Sequence, residues 1–155
     1  MKKVLWLIVC LMTMVVNLTS CNDFESEAKS NMEKHMKDIA KNSKTLEISN
    51  IETVFNADSC VALKFKASGQ NGFGGYSKHE YVYLYSVYNF NELGIKKIYA
   101  LLNIDEELGA TLWLQLKKDM EIKPCDSIKN QIIALSVLCG FDVENDERVL
   151  NYMVK

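Results

Sequence analysis

The chain has 155 residues, enough for one compact domain. Hydrophobic residues at 48% and charged residues at 25% are ordinary for a globular protein, and one proline with seven glycines excludes a low-complexity chain. The formal charge of -2 leaves no basic footprint for nucleic acid, and Arg148, the sole arginine, excludes a site built on arginine forks.

The first element is a leader. Lys2 and Lys3 precede an apolar run from Val4 to Val16, and small and polar residues follow up to Cys21. A basic start, a short apolar core and a small-residue cut site describe a secretory signal. The run is too short to span a bilayer, which takes about 20 residues. Leu18-Thr19-Ser20-Cys21 resembles the lipobox of small bacterial lipoproteins. The resemblance implies cleavage before Cys21, lipid on the Cys21 thiol and anchoring in a membrane. Cys10 does not fit, because Val9 before it is not small and the apolar run would be cut short. Asn22 stands where an aspartate in that family signals inner-membrane retention, so the outer membrane is the expected location, on its periplasmic or surface face. Asp23, Glu25 and Glu27 resemble the export tags of surface lipoproteins in some Gram-negative anaerobes; a solvated acidic linker looks the same. The expected layout is a signal peptide over 1–20, a lipidated tether over 21–26 and one domain over 27–155.

The mature chain opens on a helix. From Glu27 to Lys41, Ala28, Met32, Met36, Ile39 and Ala40 share one helical face, a stripe expected to pack on a sheet. Ser30 and Glu33 have capping-box spacing, although the helix can begin a turn earlier. Leu46, Ile48, Ile51, Thr53 and Phe55 read as a first strand whose phase slips at Ser49-Asn50, the mark of a bulge. Asn56-Ala57-Asp58 reads as a turn.

The stretch from Ser59 to Asn89 organises the rest. Val61, Leu63, Phe65 and Ala67 alternate with Ala62, Lys64 and Lys66, the period of a strand with one dry face. Tyr81, Tyr83 and Tyr85 alternate with Val82 and Leu84, so the next strand is apolar on both faces and central. Between them Gly69, Gly72, Gly74 and Gly75 predict a mobile hairpin loop carrying Phe73 and Tyr76 as exposed aromatics.

Two similar segments follow. Leu93-Gly94 precedes IKKIYALLNI, and Leu108-Gly109 precedes ATLWLQLKK. Each glycine suits the left-handed position of a hairpin loop, which predicts strands four and five of a meander. Ile95, Ile98, Tyr99 and Leu102 also fit a helix. Asp126 or Ser127 can cap a helix carrying Ile128, Ile132, Leu135 and Leu138, ended by Gly140. A short helix is expected over Asp146 to Met153. The fold class is α+β: an N-terminal helix, an antiparallel meander of about five strands and C-terminal helices packed on one sheet face.

Few residues offer chemistry. In an oxidising compartment Cys60, Cys125 and Cys139 permit one disulfide, or serve as small buried apolar residues. A helix between Cys125 and Cys139 separates them by roughly 21 Å, so only Cys60 can pair with either. His35 and His79 lie in no metal-ligating or catalytic motif, and no metal or cofactor is expected. His79 beside Cys60 would suggest a thiol nucleophile. The glycine loop has neither Gly-Lys-Ser/Thr nor GxGxxG and leads into a strand, unlike a phosphate loop. The sharpest functional feature is aromatic: a meander would set Tyr81, Tyr83, Tyr85, Tyr99 and Trp113 on one face. That face either stacks on a sugar or anchors a protein, or forms a second core layer under the C-terminal helices. The expected function is a lipid-anchored, non-catalytic binding or accessory module of the cell envelope with a protein or glycan partner. A small envelope hydrolase with a site assembled only in the fold is the alternative.

Overall fold

A computed structural model describes residues 24–57, 59–90 and 94–138. Helix α1 covers 24–39 and is already formed at Phe24. A 3-10 turn, Ser43–Thr45, leads into strands β1 (Glu47–Ala57), β2 (Cys60–Gln70), β3 (Tyr76–Phe90) and β4 (Gly94–Asn103). Helices α2 (Glu107–Ile122) and α3 (Cys125–Leu138) complete the described chain. The four strands form one antiparallel sheet in the order β1-β2-β3-β4. Cys21, Cys139, Gly140 and the expected helix over Asp146 to Met153 lie outside the described residues.

Alternation on β2 and β3 sends side chains to two faces, and each face has its own helical cover. Val61, Leu63, Phe65, Ala67, Tyr83, Tyr85 and Leu101 pack with Ala28, Met32 and Met36 of α1. Cys60, Ala62, Val82, Leu84, Ile98, Ala100 and Leu102 pack with Trp113 and Leu116 of α2 and with Ile128, Ile132, Ile133 and Leu135 of α3. The molecule is therefore three layers, α1 over one face and α2-α3 over the other. A two-sided apolar β3 is explained by two covers.

The pairing between β2 and β3 runs from Cys60↔Ser86 to Gln70↔Tyr76 without a shift. On β1 the register slips between Ser49 and Glu52, and Asn50 takes φ 54°. This is the bulge that the phase slip anticipated, and it blunts an edge strand. Glu25 of α1 reaches that edge, accepting from Thr53 Oγ1 at 2.7 Å and Asn56 Nδ2 at 3.0 Å.

Four expectations are corrected. The segment expected as strand five is helix α2. Leu112, Leu114 and Leu116 alternate, but Trp113 and Leu116 are the ones buried while Leu114 is 60% exposed. Leucine, lysine, glutamine and glutamate favour helix over strand, and that preference prevails here. Gly109 accordingly sits in the first turn of α2, not in a hairpin. The aromatic face lies under α1 rather than under the C-terminal helices, and Trp113 belongs to the opposite core. Ser30 lies inside α1, so Ser30 and Glu33 form no capping box.

His35 provides a pH test of the α1 interface. Its ring lies 5.0 Å from Tyr99 and 6.3 Å from Tyr83. Burial lowers its pKa below the ordinary 6.5, against an opposing pull from Asp38. The folded state therefore takes the proton later than the unfolded state. Stability is full above the unfolded value and falls as pH drops below about 6.5 towards the depressed folded value. Glu25 also has a lowered pKa, chiefly through its hydrogen bonds from Lys29 and Thr53, and its loss begins lower, below the carboxylate's ordinary 4.5. Thermal melts between pH 7.5 and pH 5 should show a falling Tm that His35→Leu flattens. An unchanged slope in the variant would refute the assignment.

Candidate functional site

The site grows from a mismatch of lengths. At 1.5 Å per residue α1 spans about 24 Å. The 11 residues of β2 span roughly 36 Å, and the 15 of β3 more. The sheet outruns its helix, so the face that carries Tyr83 and Tyr85 emerges past the end of α1. There it exposes Tyr81, His79 and Ser77 of β3 beside Ala67 and Gly69 of β2. The last residues of α1 and Leu46 wall this surface into a cleft of about 230 Å³, with Lys41, Asn42, Gln70 and Asn71 at its margin.

The glycine loop at the rim is narrower than its composition predicts and is hydrogen-bonded within itself. Gly69 and Gln70 belong to β2, leaving 71–75 as the turn. Asn71 closes it. Its backbone N–H donates to Gly75 O at 2.7 Å, and its Oδ1 accepts from Phe73 N and Gly75 N, each at 3.0 Å. Gly74 takes φ 85°, the conformation that favours glycine. Gln70 Nε2 donates to Gly74 O at 3.1 Å, while Asn42 Nδ2 donates to Gln70 Oε1 at 3.2 Å and ties the loop to the end of α1. The loop lies outside the core, as expected, and an asparagine at its first position supplies hydrogen bonds that glycine counting overlooked. Phe73 projects from this turn 99% exposed, and Tyr76 beside it is 72% exposed.

Tyr81 stacks on Phe65 at 5.7 Å and meets His79 edge-on at 6.2 Å. Burial, then the charges of Glu106 and Asp105, push its phenol pKa up, so it is a neutral hydrogen-bonding group. His79 Nδ1 lies 3.5 Å from Asp105 Oδ2, longer than an ordinary hydrogen bond, with both side chains about half exposed. Asp105 is already engaged, accepting from Glu80 N at 2.9 Å. His79 makes no hydrogen bond to a serine, threonine or cysteine among the described residues. Cys60 is not its partner: Cys60 pairs with Ser86 and His79 with Ala67, seven positions apart on β2, or about 23 Å, and on opposite faces. Among the described residues no three His, Cys, Asp or Glu side chains are grouped to hold a metal ion.

Of the residues singled out in the sequence, Phe73 and Tyr76 are exposed on and beside the turn without lining the cleft, and Tyr81 reaches the cleft. Tyr83 and Tyr85 do not: they are 0% and 1% exposed under α1. Lys41 and the cleft itself were missed. The signal was present in the unequal lengths of the helical stripe and the alternating strands. Comparisons with protein-family models, with curated proteins and with solved structures find no match to this chain.

Proposed function

We propose that this chain is a lipid-anchored, non-catalytic binding module of the bacterial outer membrane, which meets its partner through Phe73, Tyr76 and the adjoining cleft. One observation carries the reading: a phenylalanine 99% exposed on a turn that Asn71 and Gln70 brace with hydrogen bonds. Exposing a large apolar side chain in water has no benefit to the fold, and fixing its position in advance lowers the entropy lost on binding.

The polarity of α1 supports the same reading. Cys21, the proposed lipid attachment, precedes Phe24 by three residues, at most about 10 Å of extended chain. Phe24 packs against Tyr85 at 5.2 Å, at one end of the sheet. The Phe73 loop and the cleft stand at the other end, beside residues 36–42. A lipid on Cys21 therefore holds one pole at the membrane and turns the loop outward. Among the described residues no helix is long and apolar enough to cross a bilayer, so this reading leaves membrane attachment to the lipid.

The test uses the full-length chain in its own envelope. Fatty-acid labelling should require Cys21, and Cys21→Ser should leave an unlabelled, longer precursor. A photo-crosslinking residue at position 73 should capture a protein or a glycan from outside the membrane, and Tyr76→Ala should weaken capture. Phe73→Ala and Tyr76→Ala should change stability by no more than about 0.5 kcal/mol, as at other surface sites. Crosslinking to lipid would overturn the outward orientation, and turnover of a captured glycan or ester would promote the hydrolase alternative.

A further inference from the structure

At the membrane-proximal pole lie two cysteines that the proposed binding surface does not use. Cys60 opens β2 and is fully buried, while Cys125 opens α3 and is half-buried. They are 65 positions apart in sequence, roughly the whole sheet, yet both side chains pack in the one core cluster between sheet and helices. After burial, the Cys125 thiol is the largest influence on the Cys60 thiol, with Lys129 of α3 opposing it. The two sulfurs are thus near neighbours on elements that no covalent cross-link among the described residues joins.

We propose that Cys60 and Cys125 form a disulfide in the exported protein, made by exchange with an oxidised dithiol carrier of the envelope. The inference rests on the envelope location proposed above, because a cytosolic thiol pool would keep both reduced. The exposures set the order of the steps. Burial pushes the Cys60 thiol up to about 12, which makes it a poor first nucleophile, whereas Cys125 is open to a carrier. The Cys125 thiolate attacks one carrier sulfur, and the other carrier sulfur leaves as a thiolate. The Cys60 thiolate then attacks Cys125 Sγ and expels the carrier. Two electrons and two protons pass to the carrier, which departs as a dithiol, and one sulfur–sulfur bond replaces another.

The bond would fasten the start of α3 to the start of β2. It ties the C-terminal layer to the sheet at the pole that bears the anchor, where pulling on the lipid is transmitted to the domain. Closing a loop of this length constrains the unfolded chain strongly.

The experiment is peptide mapping without reduction, on lipid-labelled protein whose thiols are trapped by alkylation in acid as the cells are opened. A peptide joining Cys60 to Cys125 is expected, and reduction should lower Tm by about 10 °C. Cys125→Ser, at a half-exposed position that tolerates the change, should abolish that redox dependence of Tm. Free thiols at both positions in the labelled protein, or Cys60 joined elsewhere, would overturn the proposal. If the chain takes no lipid label, the envelope reading fails separately. The purified protein in oxidised glutathione then decides the pairing: an internal Cys60–Cys125 bond supports it, and glutathione left on Cys125 alone overturns it.

Discussion

Tyr83→Ala/Tyr85→Ala should leave the protein largely unfolded at growth temperature. Both rings are buried on a central strand, stacked on each other at 6.5 Å, with Tyr83 stacked on Tyr99 at 5.9 Å and Phe24 lying on Tyr85. Each truncation should cost about 3–5 kcal/mol by analogy with buried phenylalanines. The sites touch, so the double cost is not the simple sum. Even about 5 kcal/mol approaches the whole stability of a typical domain. The hydroxyls are a separate matter. That of Tyr83 is buried without a hydrogen-bond partner among the described residues, and burial drives its pKa far up. Tyr83→Phe removes that desolvated group and should be neutral or stabilising by up to about 1 kcal/mol. Thermal and urea melts decide both. A stable double mutant would mean that α1 is loosely held and the aromatic face open to a partner.

Gly109→Ala should be the most damaging of the alanine substitutions at Gly69, Gly72, Gly74, Gly75 and Gly109. In a helix interior the exchange normally gains about 1 kcal/mol from backbone entropy. Here an added Cβ would stand 1.9 Å from Asn103 O and 2.7 Å from Asn103 C. These are backbone atoms at the end of β4, and they cannot rotate away. Helix α2 would have to lift from the sheet, taking Trp113 and Leu116 with it. A net loss of at least about 3 kcal/mol is expected, because steric exclusion outweighs propensity. Gly72→Ala is the control: its Cβ would meet only the flexible Lys41 stem, at 3.3 Å, and should change little. Equal melting of the two variants would show that α2 does not approach β4 so closely.

These two sites show where sequence reasoning succeeded and where it stopped. Period-two alternation from Val61 to Ala67 and from Tyr81 to Tyr85 specified two strands, because a one-residue slip would move every apolar side chain to the wrong face. Methionines and alanines at i, i+4 spacing specified α1 in the same way. Leu112, Leu114 and Leu116 misled, because three alternating leucines also fit a helix that buries only some of them. What separates the two readings is the helix preference of the leucine, lysine, glutamine and glutamate in the segment, which outweighs the alternation. The candidate site divided similarly. Phe73 and Tyr76 were legible as aromatics among glycines. The hydrogen bonds that brace the turn come from Asn71, Gln70 and Asn42, and the last of these comes from another element.

By itself the sequence determined the α+β class, the central strands, the amphipathic first helix and the bulge near Asn50. Each depends on side chains adjacent in the chain at a fixed period, so local geometry suffices. Only the tertiary structure decided that α1 covers the tyrosines and α2-α3 the other face, since the central strand β3 is apolar on both faces and does not say which helix covers which. Only it decided that the sheet outruns α1 to leave a cleft, and that Cys60 lies beside Cys125. Those outcomes depend on relative lengths and on contacts between distant segments, which are fixed when the layers pack and are not written in any single stretch.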